Sequence, residues 1–330
     1  MPQPRRISTE SLKIDCEAES IRISQAIRGQ VTHVLRRRGV VVGLSGGIDS
    51  SVVAALCAHA LGKERVLGIL MPEIESASES TTLGSLVAES LSIPYVREDI
   101  TPLLRSVRCY ERRNDAIRTL FPDFSERHRC KIVLPSVIDD DRFRVFSLVI
   151  QSPDGRVTKV RMPPDVYETV VASNNFKQRA RKMIEYFHAD RLHYAVAGTP
   201  NRLEYDQGFF VKNGDGAADL KPIAHLYKTQ VYELAAFLEI PGEILRRPPT
   251  TDTYSMPQSQ EEFFFSLPYG HMDLCLYAYN HGIEPEEVGP AVGLTTTQVK
   301  RVYRDIESKR RAAQYGHLPP LLVEDVLSKP

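Results

Sequence analysis

Apolar positions recur at helical spacing over residues 10–38, where Leu12, Ile14, Ile21, Ile27, Val31, Val34 and Leu35 fall roughly on one face. This stretch stops at Gly39. The pattern then becomes an unbroken run, Val40-Val41-Val42-Gly43-Leu44, which predicts a strand buried on both faces. A helix is expected over 49–61, a strand over 66–71, a helix over 78–91 and a strand over 94–98. Farther on, 175–187 predicts a helix and 192–197 another strand. Strands alternating with helices imply right-handed crossovers, so the expected class is α/β with a doubly wound parallel sheet.

Between residues 101 and 173 this rhythm breaks. Residues 105–131 carry eight Lys/Arg against four Asp/Glu, which reads first as a solvated basic face and second as a lid or partner surface. Residues 143–150 and 156–162 flank Ser152-Pro153-Asp154-Gly155 and predict a β-hairpin. The chain is therefore expected to be one domain (1–330), with an N-terminal helix over 1–39, an insertion over 108–173 and a helical tail over 263–330.

Composition narrows the classes. Lys+Arg and Asp+Glu both total 42, so no net charge draws the chain to nucleic acid or an anionic membrane. No apolar run approaches the roughly 18 residues of a membrane span, and the first residues lack the apolar core of a secretion signal. Five scattered cysteines without a CxxC pair fit a reducing, cytoplasmic setting and argue against structural zinc. Residues 286–312 also read like a helix-turn-helix. However, residues 283–330 balance their charges and lack the basic footprint of a DNA reader.

The chemistry concentrates in Ser45-Gly46-Gly47-Ile48-Asp49-Ser50-Ser51, between the buried strand and its helix. Gly46 and Gly47 allow close backbone approach to a phosphate, and the helix N-terminus adds its positive dipole end. Ser45, Ser50 and Ser51 offer hydroxyls. Asp49 would repel phosphate unless Mg²⁺ lay between them. The pattern GxxxxGK[ST] is absent, which excludes a Walker-type loop. The plain alternative is a strand-turn-helix connection with an acid in the first helical turn.

SGGIDSS resembles the signature of the N-type ATP pyrophosphatases. Within that superfamily, Asn175-Phe176-Lys177-Gln178-Arg179-Ala180-Arg181, Gly198-Thr199, Glu204, the 208–219 stretch, Lys228-Thr229-Gln230 and Pro249-Thr250-Thr251-Asp252 are similar in order and spacing to the NAD synthetases. The resemblance covers about three-quarters of the chain. It implies an adenine-nucleotide alpha-hydrolase-like fold and an ammonia-dependent form without a glutaminase domain. The implied reaction joins deamido-NAD to ammonia through an acyl-adenylate, releasing pyrophosphate and then AMP. Ammonia would come from solution or a separate glutaminase, and a homodimer is implied.

Residue by residue, the resemblance implies that Gly43, Ser45, Gly46, Gly47, Asp49, Ser50 and Ser51 grip ATP. Thr199, Lys228 and Thr250 add ATP contacts, and Lys228 offsets charge on the departing pyrophosphate. Asp49 and Glu204 match the Mg²⁺ ligands. Arg179, Lys212 and Asp219 face deamido-NAD, with Lys309 as a further contact, and Asn175 is a further cofactor-binding position. Asp215 and Asp219 both stand as handlers of ammonium. Against these roles, Arg179 and Arg181 read as a solvated helix face, Glu204 as a helix cap or partner of Arg202, and Lys212 and Asp219 as surface loop. His225 and His271 read as structural. The chain departs from the family pattern at Val211, at Ser308, in the Glu261-Glu262-Phe263-Phe264-Phe265 run and in the insertion. These departures leave a related amide ligase for another carboxylic acid as the alternative.

Overall fold

The computed structural model describes residues 7–134, 137–138, 146–249, 254–256, 258–259, 264–265, 267–324 and 326. Strands β1 (Val40–Gly43), β2 (Val66–Leu70), β3 (Tyr95–Arg97) and β7 (Ala195–Ala197) make a parallel sheet in the order β3-β2-β1-β7. β4 (Arg129–Val133), β5 (Ser147–Gln151) and β6 (Val157–Arg161) make a separate antiparallel sheet in chain order.

The valine run works because successive side chains point to opposite faces. Val40 and Val42 pack with Ile23 and Ile27 of α1 (Cys16–Gly29), Val52 and Leu56 of α2 (Ile48–Leu61), Val87 of α3 (Ser78–Ser90) and Leu234 of α8 (Lys228–Phe237). Val41 faces the other way, onto Leu104 of α4 (Thr101–Ser106), Cys109 of α5 (Cys109–Arg118) and Ala180 and Ala189 of α6 (Pro164–Leu192). Helices therefore cover both faces, as expected of a doubly wound sheet. Residues 52–57 of α2 are fully buried, so this helix is apolar all round. Each large aliphatic side chain buried there is worth about 1.5–3 kcal/mol.

The first helix is shorter than its apolar periodicity predicts. α1 ends at Gly29, a single wide turn covers Gln30–Val34, and Arg36 in the left-handed region directs the chain into β1. α6 is longer than predicted. It starts at Pro164, with Pro163 extended before it, and stops where His193 turns left-handed. Its first half packs Val166 and Val170 against Ile132, Leu148 and Ile150 of the small sheet, and its second half lies on the parallel sheet. The predicted hairpin is present as β5 and β6, and β4 joins it as a third strand.

Beyond α7 (Arg202–Gln207) and α9 (Gly242–Arg246), helices α10 (Tyr269–Asn280), α11 (Pro285–Val292) and α12 (Thr296–His317) gather around their own apolar cluster. The helix-turn-helix pattern lies in α11 and α12. Its apolar positions Val288, Val292, Val299, Val302 and Ile306 are spent on that core.

Candidate active site

β1 ends at the carboxyl edge of the sheet and delivers Leu44 into the turn. Gly46 has φ +70°, where a β-carbon would stand 2.6 Å from the Ser80 carbonyl, so only glycine fits. Ser45 Oγ accepts from the Gly47 N–H at 3.2 Å, while Ser50 and Ser51 donate their hydroxyls to the Gly47 carbonyl at 3.0 and 2.8 Å. These two buried serines tie the turn to α2 from behind. Ser45, Gly47 and Asp49 line the cavity in front, of about 250 Å³, together with Gly43, Thr199, Asp215 and Lys228.

Asp49 Oδ2 meets the ammonium of Lys228, which is 1% exposed. Its Oδ1 accepts from Asn201 Nδ2 at 3.1 Å. Asn201 also begins α7, where it and Glu204 cap each other reciprocally: Glu204 N donates to Asn201 Oδ1 at 3.2 Å and Asn201 N to Glu204 Oε2 at 3.1 Å. Glu204 thus caps a helix, as its plain reading expected, and at the same time shares Asn201 with Asp49. Burial and then the charge of Asp49 push the Glu204 carboxyl up to about 8. Burial pulls Lys228 down, but Asp49 and Glu204 outweigh it and its pKa is raised. Two carboxyl groups beside a single lysine, the charge of Asp49 disfavouring that of Glu204, suit a hard ion such as Mg²⁺. Among the described residues no larger cluster of His, Cys, Asp and Glu assembles, so most of such an ion's shell would come from phosphate and water.

Lys228 opens α8, whose first N–H groups are capped from another helix. Asp273 of α10 accepts from Lys228 N at 3.3 Å and Thr229 N at 2.7 Å, and burial raises its carboxyl to about 6. Asp215 lines the cavity and accepts from Val211 N at 2.7 Å; burial raises its pKa.

Other described positions singled out from the sequence lie outside this cavity. Asp219 has both carboxylate oxygens occupied, by Val196 N at 2.7 Å and the Tyr186 hydroxyl at 3.2 Å. Arg179 is exposed and donates to the Lys212 carbonyl at 3.3 Å. Lys212 donates to the Tyr315 and Leu318 carbonyls at the end of α12. Asn175 is half-buried on α6. Lys309 pairs with Asp305 at 2.7 Å and donates to the Phe264 carbonyl. Thr250 and residues 261–263 lie outside the described residues. His225 pairs with Glu19 at 2.6 Å, a structural tie to α1.

Sequence reading missed several lining residues. Arg247 donates to the Gly46 carbonyl at 3.1 Å and to Ser80 Oγ at 2.9 Å, clamping the turn to α3. Its signal was its place just ahead of Pro248-Pro249-Thr250. Lys182, which directly follows the Asn175–Arg181 motif, and Glu185, one turn farther on, form a buried pair at 2.5 Å. A second cavity, of about 660 Å³, adjoins the first through Ser76, Arg247 and Pro248. Its wall includes Arg113, Phe124, His128 and Arg129 of the insertion.

A glycine-serine turn at a parallel sheet edge, backed by a helix N-terminus and faced by a lysine-aspartate pair, defines an α/β protein built to hold a nucleotide's phosphate chain. The NAD synthase family model matches residues 20–134 and 151–313. An NH(3)-dependent NAD(+) synthetase of Mesorhizobium japonicum is 56% identical over 96% of this chain and 99% of its own length. One from Rhizobium rhizogenes is 57% identical over 97% and 96%. The chain belongs to the NAD synthase family. Among solved structures, the NH3-dependent NAD synthetase from Campylobacter jejuni superposes with a TM-score of 0.61 at 21% identity, covering 94% of this chain and 100% of the other, which bears on the fold.

Proposed function

We propose that this protein amidates deamido-NAD to NAD with ammonia at the expense of ATP. The observation that carries the reading is the Asp49–Lys228 pair, with Asn201 and Glu204 behind it, at the mouth of the phosphate turn. The NH(3)-dependent NAD(+) synthetases that match nearly the whole chain support it. The turn amides and the start of α2 hold the phosphates, and Lys228 offsets charge as pyrophosphate departs. The nicotinate carboxylate attacks the α-phosphorus and breaks its bond to the bridging oxygen, giving an acyl-adenylate. Ammonia then attacks the acyl carbon, and AMP leaves with the bonding pair.

Ammonium is not nucleophilic, so a base must hold its proton. Asp215 suits that role better than Asp219, because it lines the cavity and burial raises its pKa, while both oxygens of Asp219 are occupied. A Mg²⁺ ion, when bound by Asp49 and Glu204, supplies positive charge to the phosphates. Arg179, Lys212 and Lys309 belong to the acceptor side of this reading. The chain is further inferred to act as a cytoplasmic homodimer. Exposed Met183 and Phe187, four residues apart on α6, support a subunit contact there. No helix among the described residues is long and apolar enough to cross a membrane.

The test is product analysis. Purified protein with ATP, Mg²⁺ and ammonium should turn deamido-NAD into NAD with one AMP per turnover. Faster amidation of nicotinate or another carboxylic acid supplied in its place would overturn the choice of acceptor.

A further inference from the structure

Lys182 and Glu185 are 6% and 7% exposed, yet both line the nucleotide cavity. A buried ion pair is weak support for stability, since an apolar pair of similar volume does as well or better. Glu185 Oε2 takes the Lys182 ammonium at 2.5 Å. Its Oε1 has no hydrogen-bond partner among the described residues. This oxygen lies against Gly43, where an added β-carbon would stand 2.8 Å from it. A carboxylate oxygen of a largely buried side chain, left open to a cavity, calls for a donor from whatever fills that cavity.

Position indicates which donor. Gly43 is two residues before Ser45, a span of at most roughly 7 Å. The turn beginning at Ser45 is the part of the wall that would face the phosphates, and Glu185 lines the same wall beside Gly43, just before it. The ribose is the next unit of a nucleotide beyond its α-phosphate, and its hydroxyls are donors that suit a carboxylate. Lys182 neutralises Glu185, so this acceptor does not repel the triphosphate nearby.

We propose that Glu185, held by Lys182, accepts a hydrogen bond from a ribose hydroxyl of bound ATP and so selects ribonucleotides over deoxyribonucleotides. The inference rests on reading the cavity as an ATP site, but its test needs neither acceptor nor turnover. ATP, 2′-deoxyATP and 3′-deoxyATP are titrated by calorimetry, with Mg²⁺, into the wild type and into K182M/E185L, which removes both charges and the acceptor together. The wild type should bind ATP roughly tenfold or more tighter than the analogue lacking the contacted hydroxyl. The double variant should lose that preference by weakening for ATP while holding its affinity for that analogue. Equal wild-type affinities for all three nucleotides, or the same loss for each in the variant, would overturn the proposal. If melting shows that the double variant fails to fold, E185Q replaces it, with the same direction expected at smaller size. Failure to make NAD with the ribose preference intact would instead strike the functional reading alone.

Discussion

Asp49 is the residue on which most of the site's electrostatics converge, since it meets Lys228 and Asn201 and raises Glu204. Asp49→Ala should cut pyrophosphate release at least a hundredfold in a coupled phosphate assay. It should also destabilise the fold by about 3–5 kcal/mol in urea titrations, because Lys228 is left buried without its partner. Glu204 allows a prediction with a definite sign. Its folded pKa of about 8 stands above the ordinary 4.5, so the folded protein keeps a proton that the unfolded chain has released. In nucleotide-free protein its contribution must therefore fall as pH rises from about 4.5 to 8. Asp273, raised to about 6, acts in the same direction over the lower part of that window. Glu204→Gln should flatten the decline of melting temperature between pH 6 and 8; an unchanged slope would refute the assignment of that titration to Glu204.

The turn between β1 and α2 depends on backbone shape as much as on side chains. Gly46→Ala places a β-carbon at positive φ and against Ser80 and Leu83. Left-handed strain alone costs about 1–2 kcal/mol. The variant should unfold at lower denaturant and show a raised KM for ATP. The insertion is tied to the loop after β2 by a buried network. Arg113 of α5 donates to both oxygens of Glu75 at 2.6 and 2.8 Å, Lys177 of α6 meets Glu75 at 2.6 Å and Glu73 at 3.1 Å, and the Tyr110 hydroxyl donates to Glu73 at 2.6 Å. Burial pushes the Glu75 carboxyl up, but Arg113 and Lys177 outweigh it and hold it at about 2. That contribution is complete above about pH 4.5 and is lost as pH falls toward 2. Arg113→Met should cost about 3–5 kcal/mol at neutral pH and less in acid, as read from denaturation at pH 7 and pH 3.

At the scale of the molecule, the cavity is assembled from segments far apart in sequence: the turn at 45–49, α6, the 198–215 stretch, the start of α8 and Arg247. Lying at the carboxyl edge of the parallel sheet puts it where strand ends and helix starts expose free amides. With ammonium as nitrogen source, NAD should form at rates that glutamine alone does not sustain, as measured by NAD formed after matched incubations. Glutamine-driven synthesis by the pure chain would contradict an ammonia-dependent reading. Light scattering of the purified protein tests the inferred dimer, and Met183→Lys/Phe187→Lys should shift it toward monomer.

The valine run, the glycine-serine turn and the strand-helix rhythm were legible along the chain because each is a local pattern: an unbroken apolar run, a glycine turn and a helix start are decided within a few residues. So was the cluster of Asp49, Thr199, Glu204, Asp215 and Lys228 as a set of residue types, through its resemblance to a family. Pairings could not be read this way. That Asn201 joins Asp49 to Glu204, that Arg247 clamps Gly46, and that Lys182 leaves one oxygen of Glu185 facing a cavity depend on contacts between distant segments. Burial then decides what each charge does. The Glu75 carboxyl is held at about 2 and the Glu204 carboxyl pushed up to about 8 by their neighbours and their access to water, and only the folded chain supplies both.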